Sequence, residues 1–135
     1  MTLTDAGPLV ALIDADEPDH ESCLTAVDRL SLPLVTTWPA FTEAMYLLGR
    51  IGWSAQAALW RLVQREDLLI DSEVGEMTER TAALMDKYSD RPMDLADASL
   101  VALAEARGLS RIFTLDADFH IYRLRNGNPL QVLPA

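Results

Sequence analysis

The stretch from Asp94 to Phe119, D-L-A-D-A-S-L-V-A-L-A-E-A-R-G-L-S-R-I-F-T-L-D-A-D-F, reads as a helix followed by a strand. Asp94 has the chemistry of a helix N-cap, and Asp97 falls three residues later in the first turn. An apolar, alanine-rich helix is expected from about Ala96 to Arg107, with Gly108 placed to end it. Arg111–Leu115 is then a short β-rich run, followed by Asp116-Ala-Asp118. From Asp97 to Arg107 a helix rises roughly 15 Å at 1.5 Å per residue. A strand from Ser110 to Asp116 returns about 20 Å at 3.3 Å per residue. Helix start and strand end therefore meet, and Asp94, Asp97, Asp116 and Asp118 gather there. In open α/β sheets, ligands bind beyond the carboxyl ends of the strands.

Working outward, the rest of the chain alternates the same way. Thr2–Asp5 is a strand, and Asp5-Ala-Gly7-Pro8 turns into a helix that continues through Leu9–Ile13. Asp5 suits a site position and a helix cap equally well. Glu21–Leu30 has a helical pattern with Leu24, Val27 and Leu30 inward and Cys23 in or near the core, while His20 reads as a solvated turn residue. Leu34–Thr37 is a strand, and Pro39–Arg50 is a helix carrying Glu43 near its start. Trp53–Val63 is a further helix, with Trp53, Ala57 and Trp60 forming a core or partner-facing stripe. Leu68–Asp71, Glu73–Tyr88 and Leu130–Leu133 are strand, helix and strand. Strands alternating with helices call for a parallel sheet covered on both faces.

The chain has 135 residues, 50% of them hydrophobic, enough for one core and one domain over 1–135. No apolar run approaches the ~18 residues of a membrane span. No basic-then-apolar leader is seen, and the single cysteine, Cys23, fits a cytoplasmic protein. A net charge of −10 argues against a general nucleic-acid binder. From Arg91 onward, however, Arg91, Arg107, Arg111, Arg123 and Arg125 balance five acids, and only Glu105 of those acids lies outside the cluster.

In a parallel sheet, Asp5, Glu43, Asp97 and Asp116 all belong to the carboxyl end of the strands, with Asp118 near. Like charges so close disfavour joint ionisation, and a hard divalent cation relieves that cost. Carboxylates without Cys or His suit Mg²⁺ or Mn²⁺, which can activate water against a phosphodiester. No His, Ser or Lys is placed as a nucleophile.

Four motifs carry a resemblance: Thr4-Asp-Ala-Gly-Pro-Leu-Val-Ala-Leu12, Thr42-Glu43-Ala, Leu95-Ala-Asp97-Ala-Ser-Leu-Val101 and Thr114-Leu-Asp116-Ala-Asp-Phe119. In order and spacing they resemble the PIN domain, and within it the VapC ribonucleases of bacterial toxin–antitoxin systems. The resemblance implies a three-layer α/β/α sandwich around a parallel sheet of four to five strands. It further implies Mg²⁺- or Mn²⁺-dependent endoribonuclease activity, and a small VapB-type antitoxin that covers the site. Asp5, Glu43, Asp97 and Asp116 match the family's four acidic positions. Asp118 matches a less regular fifth, which would join Asp5, Asp97 and Asp116 as a metal ligand. Thr114 matches a hydroxyl position beside the fourth acid, where it can steer a water. Ala6 departs from the Thr or Ser of many relatives, and Asp94 is assigned to capping.

Further expectations are a structured RNA substrate, tRNA or rRNA, docked by Arg91, Arg123 and Arg125, and a homodimer formed through the Pro39–Val63 helices. Two other readings compete. One is an aspartyl-phosphate enzyme, which needs a well-placed lysine where only Lys87 exists. The other is a PIN-like module that binds RNA or protein without catalysis.

Overall fold

Each strand places alternate residues on opposite faces of the sheet, as the two-residue period requires. Leu3, Val35 and Ile112 join one hydrophobic cluster, whereas their neighbours Leu34 and Phe113 join the other. The structure, a computed structural model, describes residues 1–72, 77–91 and 93–134. Within them lie β1 (Thr2–Thr4), α1 (Ala6–Ile13), α2 (His20–Val27), β2 (Leu34–Thr37), α3 (Trp38–Gly49) and α4 (Trp53–Gln64). These are followed by β3 (Leu68–Asp71), α5 (Thr78–Lys87), α6 (Leu95–Arg107), β4 (Arg111–Phe113), a 3₁₀ turn (Ala117–His120) and β5 (Gln131–Leu133).

The five strands form one sheet in the order β3-β2-β1-β4-β5, and every pairing is parallel. Helices α1–α4 cover one face, and α5, α6 and the segment around Phe119–Leu130 cover the other. This is the three-layer α/β/α sandwich expected from the sequence. The register sets Leu3 beside Val35 and Thr4 beside Phe113, so Asp5, Thr37 and Thr114 all emerge from the carboxyl ends of central strands.

Helix α6 is the central packing element. Asp94 accepts the Asp97 N–H at 2.8 Å and donates its own N–H back to the Asp97 carboxylate, forming a reciprocal capping box. Gly108 closes the helix at φ 65°, a left-handed conformation that only glycine adopts without strain. Ala96, Ala98, Ala102 and Ala104 are buried on several sides, so neighbours approach the helix closely. Leu100 and Leu103 are fully buried, each contributing about 1.5–3 kcal/mol of transfer free energy.

Several local expectations shift. Helix α1 starts at Ala6, not at Pro8, because Asp5 caps it. Cys23 is the inward residue of α2 while Leu24 is exposed, and His20 bonds the Ala11 carbonyl through Nδ1 at 2.6 Å. In α4 the buried residues are Ala55 and Leu59; Trp53 is exposed, and Trp60 packs edge-on against Phe41. Strand β4 stops at Phe113 because Thr114 and Asp116 turn their polar groups onto each other. The first part of the helix expected over Glu73–Tyr88, residues 73–76, lies outside the described residues.

Candidate active site

Asp5 follows β1 directly and is buried. Its Oδ1 accepts the Ala6 N–H at 2.7 Å, and its Oδ2 accepts the Thr114 hydroxyl at 2.8 Å. Thr114 Oγ1 in turn accepts the Asp116 N–H at 3.0 Å. Asp116 Oδ1 accepts the Asp118 N–H at 2.9 Å, which starts the 3₁₀ turn. Asp97 sits in the first turn of α6, where its Oδ2 accepts from the Asp94 N–H at 3.4 Å and the Tyr122 hydroxyl at 3.3 Å. Glu43 reaches in from the second turn of α3 and accepts no hydrogen bond among the described residues. The start of α6 is tied to the end of β2 by a 2.7 Å contact between Thr37 Oγ1 and Ser99 Oγ.

These acids share one cavity. Asp5, Gly7, Glu43, Asp94, Asp97, Leu115 and Asp116 line a volume of about 260 Å³. Burial raises the Asp97 carboxyl to about 7, and the charges of Asp94, Asp5 and Asp116 push the same way. Burial also raises Asp5, reinforced by Asp116 and Asp94 and opposed by the donors Thr114 and Ala6. Glu43 is raised by burial and then by Asp5, Asp94 and Asp116. Without a cation, the cavity is thus a site of unfavourable negative charge.

The residues present fit a hard divalent cation by donor chemistry, since every ligating candidate is a carboxylate oxygen. Among the described residues, no three acids, histidines or cysteines are drawn together as a preformed cage. Mg²⁺ ordinarily keeps several waters and binds few carboxylates directly, so it does not require such a cage.

The structure treats the other sequence candidates differently. The Asp118 carboxylate is not among the groups lining the cavity, and Asp118 contributes its N–H to Asp116 instead. Thr114 commits its proton to Asp5. Asp94 lines the cavity while capping α6. Arg123 Nη1 donates to the carbonyls of His120, Ile121 and Tyr122, so it fastens its own segment. Arg125 lines a second cavity of about 630 Å³ beside Gly108, at the far end of α6 from Asp97. Arg91 is exposed, three residues before the Asp94 cap. Lys87 lies over the Tyr88 ring and does not line the acid cavity, which removes the lysine that an aspartyl-phosphate mechanism needs. Tyr122 and Ser99 are contacts the sequence did not announce.

A parallel α/β/α sandwich with acids from four separate elements around one cavity defines a class. The PIN-domain family model matches residues 2–124, and the chain belongs to that family. It is 30% identical over 134 residues to Ribonuclease VapC26 of Mycobacterium tuberculosis, covering 98% of this chain and 99% of that protein. The crystal structure of Mycobacterium tuberculosis VapC20, described as a sarcin-ricin loop cleaving toxin, superposes with a TM-score of 0.80. That match has 18% identity and covers 87% of this chain and 92% of VapC20. A chain of a toxin–antitoxin complex from Klebsiella pneumoniae gives a TM-score of 0.69 at 18% identity, over 88% of this chain and 90% of that one. At such identity these two likenesses bear on the fold alone.

Proposed function

We propose that the protein is a Mg²⁺- or Mn²⁺-dependent endoribonuclease and the toxin of a toxin–antitoxin pair. The observation that carries this reading is the single cavity lined by Asp5, Glu43, Asp97 and Asp116, in a chain 30% identical end to end to Ribonuclease VapC26. Asp5, Asp97 and Asp116 would hold the cation. When bound, it supplies a water of lowered pKa and positive charge at the phosphodiester. Asp118 is the less regular further ligand of the set, and its N–H also donates to Asp116 Oδ1. Glu43, raised above the ordinary carboxylate range and free of hydrogen bonds among the described residues, is suited to take a proton from water entering the cavity. Water adds to phosphorus as Glu43 takes its proton, one P–O bond of the RNA backbone breaks, and that proton passes to the departing oxygen, so Glu43 is regenerated as the carboxylate.

The acidic surface disfavours indiscriminate RNA binding, so the substrate is a structured RNA of the tRNA or rRNA class, cut in the cytoplasm. Arg91, Arg123 and Arg125 are the docking cations of this reading, Arg91 being exposed three residues before the Asp94 cap, and their charge reversal weakens RNA binding. A VapB-type antitoxin is the natural partner, its role being to cover the acids. A homodimer forms through the α3–α4 corner, where Tyr46 is 66% and Trp53 68% exposed with Ile51 beside them. Sedimentation of a monomer at micromolar concentration would remove that last element.

The test is cleavage of tRNA and rRNA by wild type, Asp5→Asn and Asp97→Asn in Mn²⁺. Both variants fold and lose about 10²-fold or more of the activity. Cleavage that survives exhaustive chelation refutes the reading.

A further inference from the structure

The hydroxyl of Tyr122 touches the cavity indirectly, through Asp97. Tyr122 is 1% exposed, and its ring is held edge-on by Tyr88 at 5.1 Å and Phe119 at 5.2 Å. Its backbone is fixed as well. The Tyr88 hydroxyl accepts the Arg123 N–H at 2.9 Å, and the Arg123 guanidinium donates to three consecutive carbonyls that include Tyr122 O. Ring and backbone together fix the phenolic oxygen 3.3 Å from Asp97 Oδ2, to which it donates. The second donor to that oxygen, the Asp94 N–H, is 3.4 Å away, so neither bond alone is short. Oδ1 of Asp97 accepts no hydrogen bond among the described residues.

We propose that Tyr122 is a positioning residue for the cation site: it holds Oδ2 of Asp97 so that Oδ1 is presented to the cavity shared with Asp5 and Asp116. This rests on the reading that the cavity takes a divalent cation. A carboxylate rotates about two side-chain torsions, and a buried donor on one oxygen removes that freedom before the ion arrives. Partners of this kind orient metal ligands, and their loss costs roughly 10–100-fold in affinity. In a purely structural role the Tyr122 hydroxyl would resemble that of Tyr88, which bonds only backbone.

Mn²⁺ is titrated against the full chain and the free ion followed by electron paramagnetic resonance, for wild type, Tyr122→Phe and Thr2→Val, the last of which removes a hydroxyl bond to the Ser31 carbonyl at the amino end of β1. Tyr122→Phe weakens Mn²⁺ binding about 10-fold or more, while Thr2→Val leaves it unchanged. Wild-type affinity in Tyr122→Phe, or an equal loss in Thr2→Val, overturns the inference. If wild type itself binds no Mn²⁺, the cation reading falls first and this inference with it. Should Tyr122→Phe fail to fold, wild type is labelled with 3-fluorotyrosine and titrated with Mg²⁺. The Tyr122 fluorine resonance then moves with saturation while those of Tyr46 and Tyr88 stay in place, and an unmoved Tyr122 resonance overturns the proposal.

Discussion

Thr114 Oγ1 donates to Asp5 Oδ2 at 2.8 Å across 109 positions of chain. The same oxygen accepts the Asp116 N–H, so one hydroxyl joins the ends of β1 and β4 and orients two acids at once. Thr114→Val keeps the shape, removes the bridge, and strands a buried carboxylate oxygen and a backbone N–H. Groups left unsatisfied in this way cost about 1–3 kcal/mol, which denaturant unfolding measures directly. Thr114→Ser restores the hydroxyl and should recover most of that loss. A valine variant as stable as wild type would show that solvent replaces the bridge.

Asp97 sets a pH dependence whose sign runs against ordinary acid denaturation. Its folded pKa of about 7 lies above the ordinary aspartate value of 3.8, so between these values the folded protein binds more protons than the unfolded chain. The Asp97 contribution to stability is therefore full below about 4 and declines as pH rises toward and through about 7. Asp5 and Glu43, both raised, act in the same direction. Metal-free protein should show its melting temperature falling across this window, and Mn²⁺ should reverse the fall by binding the folded state. Asp97→Asn, which keeps a hydrogen-bonding oxygen but carries no charge, flattens the metal-free slope. An unchanged slope in that variant would place the pH dependence elsewhere.

Much of this arrangement was legible in the sequence because the decisive signals are local. Asp94 with Asp97 forms the capping box that their spacing foretold, and Gly108 ends α6 at the position read for it. Strand and helix lengths alone brought Asp97 and Asp116 to one end of the sheet. Long-range choices were not legible. Nothing in the pattern of α2 says that Cys23 turns inward and Leu24 outward, since the helix is short and packs at the margin of the core. Tyr122 lies in an irregular segment after the 3₁₀ turn, where no periodicity marks a contact with Asp97. Arg123, read as a cation for RNA, also fastens its own segment through Nη1 on three carbonyls, a contact that no periodicity announces.

Glu105 separates stability from activity. Its carboxylate takes Arg80 at 2.7 and 2.9 Å and the Arg125 N–H at 2.6 Å, and it lines the larger cavity, not the acid one. Burial opposes its charged form, but the donors Arg80 and Arg125 win and hold its pKa below the usual range. That contribution is present above the unfolded carboxylate pKa and is lost as pH falls through the folded value, opposite in sign to Asp97. Glu105→Gln should lower stability at pH 7 by about 1 kcal/mol, as a partly exposed ion pair allows. RNA cleavage by the folded variant should be unaltered; a loss of turnover at full folding would tie this cavity to the chemistry.

Asp94 is the sharpest case, because it both caps α6 and lines the acid cavity. The two roles separate by substitution. Serine caps helices about as well as aspartate, whereas alanine at an N-cap costs roughly 1 kcal/mol. Asp94→Ser also removes one of the like charges that push Asp5, Glu43 and Asp97 upward. If capping is the whole role, Asp94→Ser is at least as stable as wild type without metal and cleaves RNA normally in Mn²⁺. Asp94→Ala is then destabilised but still active when folded. A serine variant that melts like wild type yet loses Mn²⁺ affinity and cleavage together would make Asp94 a further ligand of the cation site, and the two assays on one protein decide between these outcomes.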